Sequence, residues 1–230
     1  MREATIYSGT RSLYSGTRSF LFWDIVKPPQ KTVLPDILSV NEVEGLINGT
    51  QELRYQTFLL TVYSMGLRLG EALNLLVGDV DKNRMKVHVR LGKGKKDRFV
   101  TLPQASLAAL RQYWLTHKNP LLLFPAGSTV QLRHVATEVM SRGGLQKSIR
   151  VIVKDCGIHK RITIHNLRHC YGAHLVEAGL NLRAIQHEMG HESPLTTALY
   201  TQLTEVTQQN TSTLINTLVN RLHLHLDGEV

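Results

Sequence analysis

Apolar residues begin to recur at helical spacing about forty residues into the chain. Ser39-Val-Asn-Glu42 has the pattern of a capping box, in which serine and glutamate three residues apart cap a helix N-terminus. An apolar stripe and then Asn48-Gly49 follow, which predicts a helix that ends there. The next helix is predicted from apolar positions that share one face: Leu53, Phe58, Leu59, Val62 and Tyr63. Gly66 ends or bends this helix, and helical spacing resumes from Glu71 to Leu76.

The middle of the chain changes to strand periodicity. Met85 to Leu91 alternates between apolar and polar residues, and Arg98 to Leu102 forms a second short run. The glycine- and lysine-rich stretch Gly92 to Asp97 between them is typical of a turn. These residues predict one small antiparallel β-sheet.

Beyond Pro103 the spacing is helical again. Helices are predicted at Gln104–His117, after Val130, and at Leu145–Cys156, Asn166–Ala178, Leu182–Met189, Pro194–Thr201 and Glu205–Leu222. The predicted fold is therefore mainly α with a small antiparallel β-sheet, an α+β class, over a domain of residues 35–222 with a tail at 223–230.

The first 34 residues have a different pattern. A heptapeptide occurs twice in tandem, as Ile6 to Ser12 and Leu13 to Ser19, and its glycine and serine interrupt any apolar face. Lys27-Pro28-Pro29 ends any helix and is typical of a linker. We expect this segment to be poorly ordered, and the repeat to be either a basic arm on DNA or a short duplication without function.

Charge favours a polyanionic partner. The 230 residues carry a formal net charge of +9, and eight basic residues crowd into one segment: Lys82, Arg84, Lys86, Arg90, Lys93, Lys95, Lys96 and Arg98. The two cysteines, Cys156 and Cys170, are too few for a disulfide framework, so a reducing compartment is expected. No apolar run reaches membrane-spanning length and no secretory signal is visible, so no membrane partner is expected.

Two motifs supply arginines suited to phosphate. Arg68 lies in Gly-Leu-Arg-Leu-Gly-Glu71, and its planar, permanently charged guanidinium matches phosphate oxygens. His165-Asn-Leu-Arg168 opens a predicted helix, where side chains three residues apart share a face and the dipole favours an anion. The structural alternatives are an ion pair between Arg68 and Glu71, and an ordinary polar helix start.

A lysine and a tyrosine complete the candidate chemistry. Lys93 lies in the glycine-flanked turn, where a flexible ammonium group either reaches into a groove or is simply solvated. Ser193-Pro194 is a helix start, which places Tyr200 in the second turn. A phenol needs neighbouring cations or a base to act as a nucleophile, and the alternative is a packing tyrosine.

One rival pattern indicates a metal site. His187-Glu-Met-Gly-His191 matches the zinc-protease motif, which needs both histidines on one helix face. Gly190 weakens the helix before His191, and Ser193-Pro194 starts another helix at once. We therefore expect His191 in a turn and no metal site.

In order and spacing, these motifs closely resemble the tyrosine recombinase (phage integrase) family. Its catalytic domain is matched over roughly Leu34 to Arg221 by Gly-Leu-Arg68-Leu-Gly-Glu71, His165-Asn-Leu-Arg168-His169 and Gly190-His191-Glu-Ser-Pro. The resemblance implies site-specific DNA cleavage and rejoining through a 3′-phosphotyrosyl link, for DNA integration and recombination, with no metal or ATP.

The resemblance also implies a role for each matching residue. Arg68 and Arg168 would hold the scissile phosphate, His191 would hydrogen-bond a phosphate oxygen, and His165 would assist proton transfer with the nucleophile. Lys93 would protonate the leaving 5′ oxygen, Tyr200 would attack, and Glu71 would orient its neighbours. Lys95, Lys96 and Arg98 are assigned to contacts with the DNA backbone, the alternative for the two lysines being plain solvation.

The implied partners are double-stranded DNA and further copies of the chain. A synapse of four protomers would dock a C-terminal segment, whose apolar stripe is Leu214, Ile215, Leu218, Val219 and Leu222. The alternative is that this helix covers its own core. The implied location is the bacterial cytoplasm, at the nucleoid.

Two features depart from the family. Some 35 residues precede the catalytic domain instead of a helical DNA-binding domain of about one hundred, and Glu188 stands where the family tends to be apolar. The first departure makes an alternative function explicit: a truncated, catalytically impaired integrase that only binds DNA or partner recombinases.

Overall fold

The computed structural model describes residues 35–90, 97–190, 194–198 and 200. Several sequence-based predictions lie outside these residues: the heptapeptide repeat, Lys93, Lys95, Lys96, His191, and the C-terminal stripe. The proposed division into an N-terminal segment, a domain and a tail stays a prediction for the same reason.

The described residues form helices and one small sheet. The helices are α1 Val40–Asn48, α2 Leu53–Ser64, α3 Leu69–Leu73, α4 Gln104–His117, α5 Val130–Val135, α6 Arg142–Asp155, α7 Ile164–Glu177, α8 Leu182–Met189 and α9 Pro194–Ala198. The strands are β1 Val80–Asp81, β2 Lys86–Val89 and β3 Arg98–Thr101. The predicted mainly α fold with a small antiparallel sheet is confirmed.

The sheet has the order β1-β2-β3, with both pairs antiparallel. Val87 is opposite Val80 on one side and Val100 on the other. Strand β1 was not predicted, because two residues are too few to show a period-2 pattern. β3 is an edge strand of this sheet, and it brings Arg98 to the side that faces the helices.

The predicted N-terminal cap of α1 is confirmed. The Ser39 hydroxyl accepts a hydrogen bond from the Glu42 amide at 3.2 Å, and the Glu42 carboxylate accepts one from the Ser39 amide at 2.7 Å. Two of the helix's unpaired amides are thereby satisfied. The stripe behind the cap is buried, with Val43 and Leu46 at most 1% exposed.

Helix α7 packs against α2 and α8. Its inner face includes Leu167, Cys170 and Ala173, all fully buried. Arg168 lies on the same helix and is 2% exposed, so a charged side chain lies within the apolar interior. A buried charge persists only where partners compensate its lost hydration. Buried charged groups also cluster at functional sites, so the surroundings of Arg168 are a candidate functional site.

Helix α8 ends at Met189 with Gly190 as its C-cap, in a left-handed conformation at φ +60°. This helix therefore stops two residues before His191, so the helix face that the zinc-protease pattern requires does not extend to the second histidine. Within the described part of the chain, no group of three or more His, Cys, Asp or Glu side chains is arranged to hold a metal ion.

Glu188 fastens α8 to the edge strand. Its carboxylate accepts hydrogen bonds from the Thr101 amide at 3.0 Å and the Thr101 hydroxyl at 2.9 Å, and Lys86 Nζ is 3.9 Å away. An edge amide that has no strand neighbour is thereby paired. The acidic residue at a position expected to be apolar has this structural reason.

No helix in the described ranges combines the length and the apolarity that crossing a lipid bilayer demands.

The hydrogen bonds between Glu188 and Thr101 are expected to stabilise the fold. Glu188→Leu removes both accepted hydrogen bonds, so we expect the free energy of unfolding in urea to fall by about 1 kcal/mol. Glu188→Gln keeps a carbonyl acceptor and should lose less. Glu44→Leu, on the exposed side of α1, is the matched control for added apolar surface. Equal free energies of unfolding for Glu188→Leu and wild type would show that these hydrogen bonds do not contribute to stability.

Candidate active site

Glu71 is the acidic centre of a cluster of arginines. It lies in the first turn of α3, and its side chain is 7% exposed. Its carboxylate accepts a hydrogen bond from the Arg68 amide at 2.9 Å and one from Arg68 Nη1 at 2.7 Å. The pairing of Arg68 with Glu71 that the sequence offered as an alternative is therefore present, and it does not exclude a phosphate role for Arg68.

Arg98 approaches the same carboxylate from β3. Its Nη1 and Nη2 donate to the two Glu71 oxygens at 2.8 and 2.9 Å, and its side chain is 11% exposed. This parallel two-bond arrangement is the strongest geometry for an arginine–carboxylate pair. The assignment of Arg98 to the DNA backbone stays a prediction, and in this structure its charged end is turned inward to Glu71.

Arg168 lies beneath this pair, held by backbone carbonyls. Nη1 donates to the Gly66 carbonyl, Nη2 donates to the Met189 carbonyl at 2.5 Å, and Nη1 is 3.9 Å from the Glu71 carboxylate. The two carbonyls come from the chain at the carboxyl ends of α2 and α8. Because helix C-termini carry negative partial charge, they are favourable partners for a buried guanidinium.

The cluster has an excess of positive charge. Three guanidinium groups, those of Arg68, Arg98 and Arg168, surround one carboxylate, which leaves two positive charges uncompensated. Burial alone would raise the pKa of Glu71, but the hydrogen bonds from Arg98 and Arg68 hold it at about 2. Burial and the charge of Arg68 lower the pKa of Arg168 to about 10. Glu71 and Arg168 are therefore both ionised at neutral pH, and the site is suited to an anion.

Gly190 lets the cluster close. Its carbonyl accepts a hydrogen bond from Arg68 Nη2 at 3.1 Å. A Cβ atom at this position would lie 2.7 Å from Arg98 Cδ, and the φ of +60° also disfavours any other residue. Sequence reasoning treated Gly190 only as a helix end, whereas the structure shows that its missing side chain makes room for Arg98.

Tyr200 is the second centre of the site. Its side chain is completely buried, and its hydroxyl lies 3.2 Å from His169 Nδ1. The ring lies against Gly172, where a Cβ would be 2.5 Å from Tyr200 Cε2. Burial raises the pKa of Tyr200 to about 12, although the charge of Arg168 acts in the opposite direction. In this structure the phenol is therefore neutral and covered.

His169 was quoted in the sequence motif without a role, and the structure assigns it a position. The centroids of the His169 and His165 rings are 4.6 Å apart in an edge-on contact. The Nδ1 atom of His169 lies 3.2 Å from the Tyr200 hydroxyl. Burial, with the charges of His165 and Arg168, lowers the pKa of His169 to about 4. Desolvation and the charges of Arg168 and Arg68 also lower the pKa of His165. The sequence signal was the four-residue spacing of the two histidines, which places them on one helix face.

The structure thus brings Arg68, Glu71 and Arg168 together, with Arg98 added, beside a chain of contacts from His165 through His169 to Tyr200. Lys93 and His191 lie outside the described residues. Two residues close to them in sequence are described: Arg98, five residues after Lys93, and Gly190, directly before His191.

Comparison with known proteins identifies the family. The family model described as the phage integrase family matches residues 36–206. A putative integrase/recombinase, y4qK of Sinorhizobium fredii, is 38% identical over 177 residues, which cover 77% of this chain and 54% of the relative.

Two solved structures resemble the fold. The crystal structure of XerA recombinase is 28% identical, with a TM-score of 0.67 over 83% of this chain and 67% of that one. XerH site-specific recombinase, solved bound to a palindromic difH substrate after cleavage, has a TM-score of 0.65 over 80% of this chain and 54% of that one. At 20% identity, the second likeness concerns the fold alone.

The chain spans between about half and two thirds of the length of the curated relatives it matches, from 54% to 67% for the first two. The family match over residues 36–206 nevertheless covers all of the residues that build the cluster described above. The chain belongs to the phage integrase family, the tyrosine recombinases.

Proposed function

We propose that this protein is a site-specific DNA recombinase that cleaves and rejoins DNA through a 3′-phosphotyrosyl intermediate formed by Tyr200. The observation that carries the proposal is the pair of uncompensated positive charges in the cluster of Arg68, Arg98 and Arg168 around Glu71. The charges of Arg168 and Arg68 also act on the Tyr200 phenol, so the phosphate site and the nucleophile belong to one electrostatic environment.

The charge of the site fits the transition state of phosphoryl transfer. A phosphodiester carries one negative charge, and attack by a phenolate brings a second. Fixed donors stabilise this growing charge without reorganising, which is the largest contribution to catalysis in many enzymes. Arg68 is the most exposed of the three arginines, with 25% of its side chain accessible, and is the natural first contact for the phosphate.

The proposed cleavage step is balanced in atoms and charge. The Tyr200 hydroxyl proton passes to an imidazole, that of His169 or His165, while the phenol oxygen bonds to phosphorus. The bond from phosphorus to the 5′ oxygen breaks, and Lys93 gives a proton to that oxygen. His191 donates a hydrogen bond to a phosphate oxygen. Rejoining runs the same steps in reverse, so the energy of the phosphodiester is kept and ATP is not needed.

The state seen here precedes that step. Tyr200 is completely buried and its pKa is about 12, so the phenol has to leave its place against Gly172 and lose its proton before it attacks. In the proposed order of events, a phosphate binds to the arginine cluster first and Tyr200 is displaced afterwards.

Double-stranded DNA is the proposed substrate and partner. The net charge of +9 favours a polyanion, and a structural relative has been solved on DNA. Lys95 and Lys96 remain proposed contacts with the phosphate backbone of the DNA. Assembly of four protomers through the C-terminal stripe, and a location at the bacterial nucleoid, follow from the family and belong to the same proposal.

One observation favours a second candidate, a chain that binds DNA without cleaving it. The buried phenol would remain unreactive if nothing displaced it. A test for a covalent protein–DNA adduct separates this candidate from the first, because the second candidate requires DNA retention without a covalent product.

Tyr200→Phe should abolish covalent trapping. The substrate is a pool of end-labelled duplexes with a nick beside a randomised centre. After cleavage, the short strand between the cleavage site and the nick diffuses away, so rejoining is prevented. Wild-type protein therefore accumulates an adduct that survives denaturing electrophoresis. Tyr171→Phe is the matched control: it also removes the hydroxyl of a tyrosine with a pKa raised to about 12, in this case one on α7, yet this variant should form the adduct as wild type does. An adduct in Tyr200→Phe would exclude this nucleophile, and retention of DNA without any wild-type adduct would establish the second candidate.

Arg168→Lys should slow adduct formation by about 10²–10³-fold, a magnitude typical of losing one preorganised donor. A single ammonium group cannot reproduce the two-carbonyl contact with Gly66 and Met189. The measurement is the single-turnover rate on saturating nicked duplex. Arg161→Lys, at an exposed arginine just before α7, should be unaffected, and an equal rate in both variants would remove Arg168 from the mechanism.

A further inference from the structure

Arg98 has its charged end committed inside the protein. Both terminal nitrogens donate to the Glu71 carboxylate, at 2.8 and 2.9 Å, and 11% of the side chain is exposed. The Nε atom is also buried, with no hydrogen-bond partner among the described residues. A guanidinium in this position has little surface left for a DNA phosphate.

Glu71 depends on Arg98 for its orientation. One carboxylate oxygen accepts Nη1 of both Arg68 and Arg98, and the other accepts the Arg68 amide and Arg98 Nη2. Four hydrogen bonds therefore fix the carboxylate plane. Without the two from Arg98, Glu71 could turn toward Arg168, which is already 3.9 Å away, and compete with the carbonyls that hold it.

Arg98 also lies between the parts of the chain that lead to two proposed catalytic residues. It is the first residue of β3, five residues after Lys93. Its Cδ, Nε and Cζ atoms pass so close to Gly190 that a Cβ there would lie within 3.0 Å of all three, and Gly190 directly precedes His191. One side chain thus ties β3 and the end of α8 to Glu71.

We propose that Arg98 is a positioning residue of the phosphate site, which acts through Glu71 to hold Arg68 and Arg168 in place, and not a DNA contact. The role rests on the proposed recombinase activity and adds to it a residue that does not touch the substrate. It accounts for an arginine that is buried beside two others of the same charge, a costly arrangement unless the shared carboxylate needs both.

The test compares Arg98→Gln and Arg98→Lys in the trapping assay. If Arg98 positions the cluster, Arg98→Gln should slow adduct formation about 100-fold, as expected for misplacing reactive groups by about an ångström. DNA affinity should stay within about twofold, and the slope of affinity against salt should not change. Arg98→Lys keeps the charge and one contact and should recover part of the rate. Arg84→Gln, at an arginine with an 82% exposed side chain near the same sheet, controls for the lost charge.

A contact with DNA makes the opposite prediction. Loss of a phosphate contact would weaken binding and reduce the salt slope by about one, with adduct formation normal at saturating DNA. That outcome would overturn the proposal.

Coupling to Glu71 is tested by a double-mutant cycle. If Arg98 acts through Glu71, Arg98→Gln should slow a Glu71→Gln protein by much less than it slows wild type. Independent, multiplying effects would contradict the proposal. Thermal unfolding of each variant shows whether the protein is folded, and the comparison is made among the folded ones.

A DNA-free readout separates this proposal from the proposed function. Glu71 faces Arg68, Arg98 and Arg168, and loss of Arg98 leaves burial less opposed, so the pKa of Glu71 should rise from about 2 toward or above its ordinary value. Stability that depends on the ionised carboxylate is then lost at higher pH in Arg98→Gln than in wild type. Carbon NMR of the carboxyl group measures this directly. An unchanged pKa refutes the positioning role even if wild type forms no adduct, and a raised pKa supports it in that case too.

Discussion

The site depends on one buried carboxylate shared among three arginines. Three guanidinium groups brought together without Glu71 would repel one another in a medium that screens charge poorly. With Glu71 the cluster keeps its cations close and still retains an excess of two positive charges. Complete neutralisation would have removed the attraction for phosphate, and a missing carboxylate would have driven the arginines apart. The single acidic residue is therefore what allows this much positive charge to persist in a folded interior.

The fold supplies the remaining partners from its backbone. Arg168 contacts the carbonyls of Gly66 and Met189, and Arg68 contacts that of Gly190, so the ends of α2 and α8 act as acceptors for the cluster. Carbonyls at helix ends lack partners within the helix, and here the arginines provide them. The same bonds join α2, α7 and α8. Stability and the arrangement of the arginine cluster are thus consequences of one set of contacts, and a substitution that weakens these contacts is expected to affect both.

Local patterns predicted most of the fold. The capping box of α1, the bounds of α4 and α8 and the two longer strands agree with the structure because each rests on short-range periodicity or capping. Helix α6 begins at Arg142, three residues before its prediction, because two glycines hide a start that Ser141 caps. The direction of Arg98 could not be read from the chain: a charge run is typical of solvent, and only the tertiary placement of Glu71 turns this arginine inward. The contact between His169 and the Tyr200 hydroxyl likewise joins residues that are 31 positions apart, so local sequence patterns could not predict it.

Tyr200 shows how the two alternatives derived for it from sequence are both contained in one structure. Against Gly172 it is a packing tyrosine, fully buried, with a hydroxyl whose pKa of about 12 keeps it protonated. Beside His169 and within the field of Arg168 it already has the neighbours that a nucleophile requires. A phenolate exposed in the absence of substrate would gain nothing for recombination, whereas a covered phenol is unreactive until the arginines bind an anion. In the proposed mechanism, burial of the nucleophile therefore makes cleavage conditional on occupancy of the phosphate site. Gly172 is required for this burial, because any larger side chain at position 172 would displace the Tyr200 ring from its buried position.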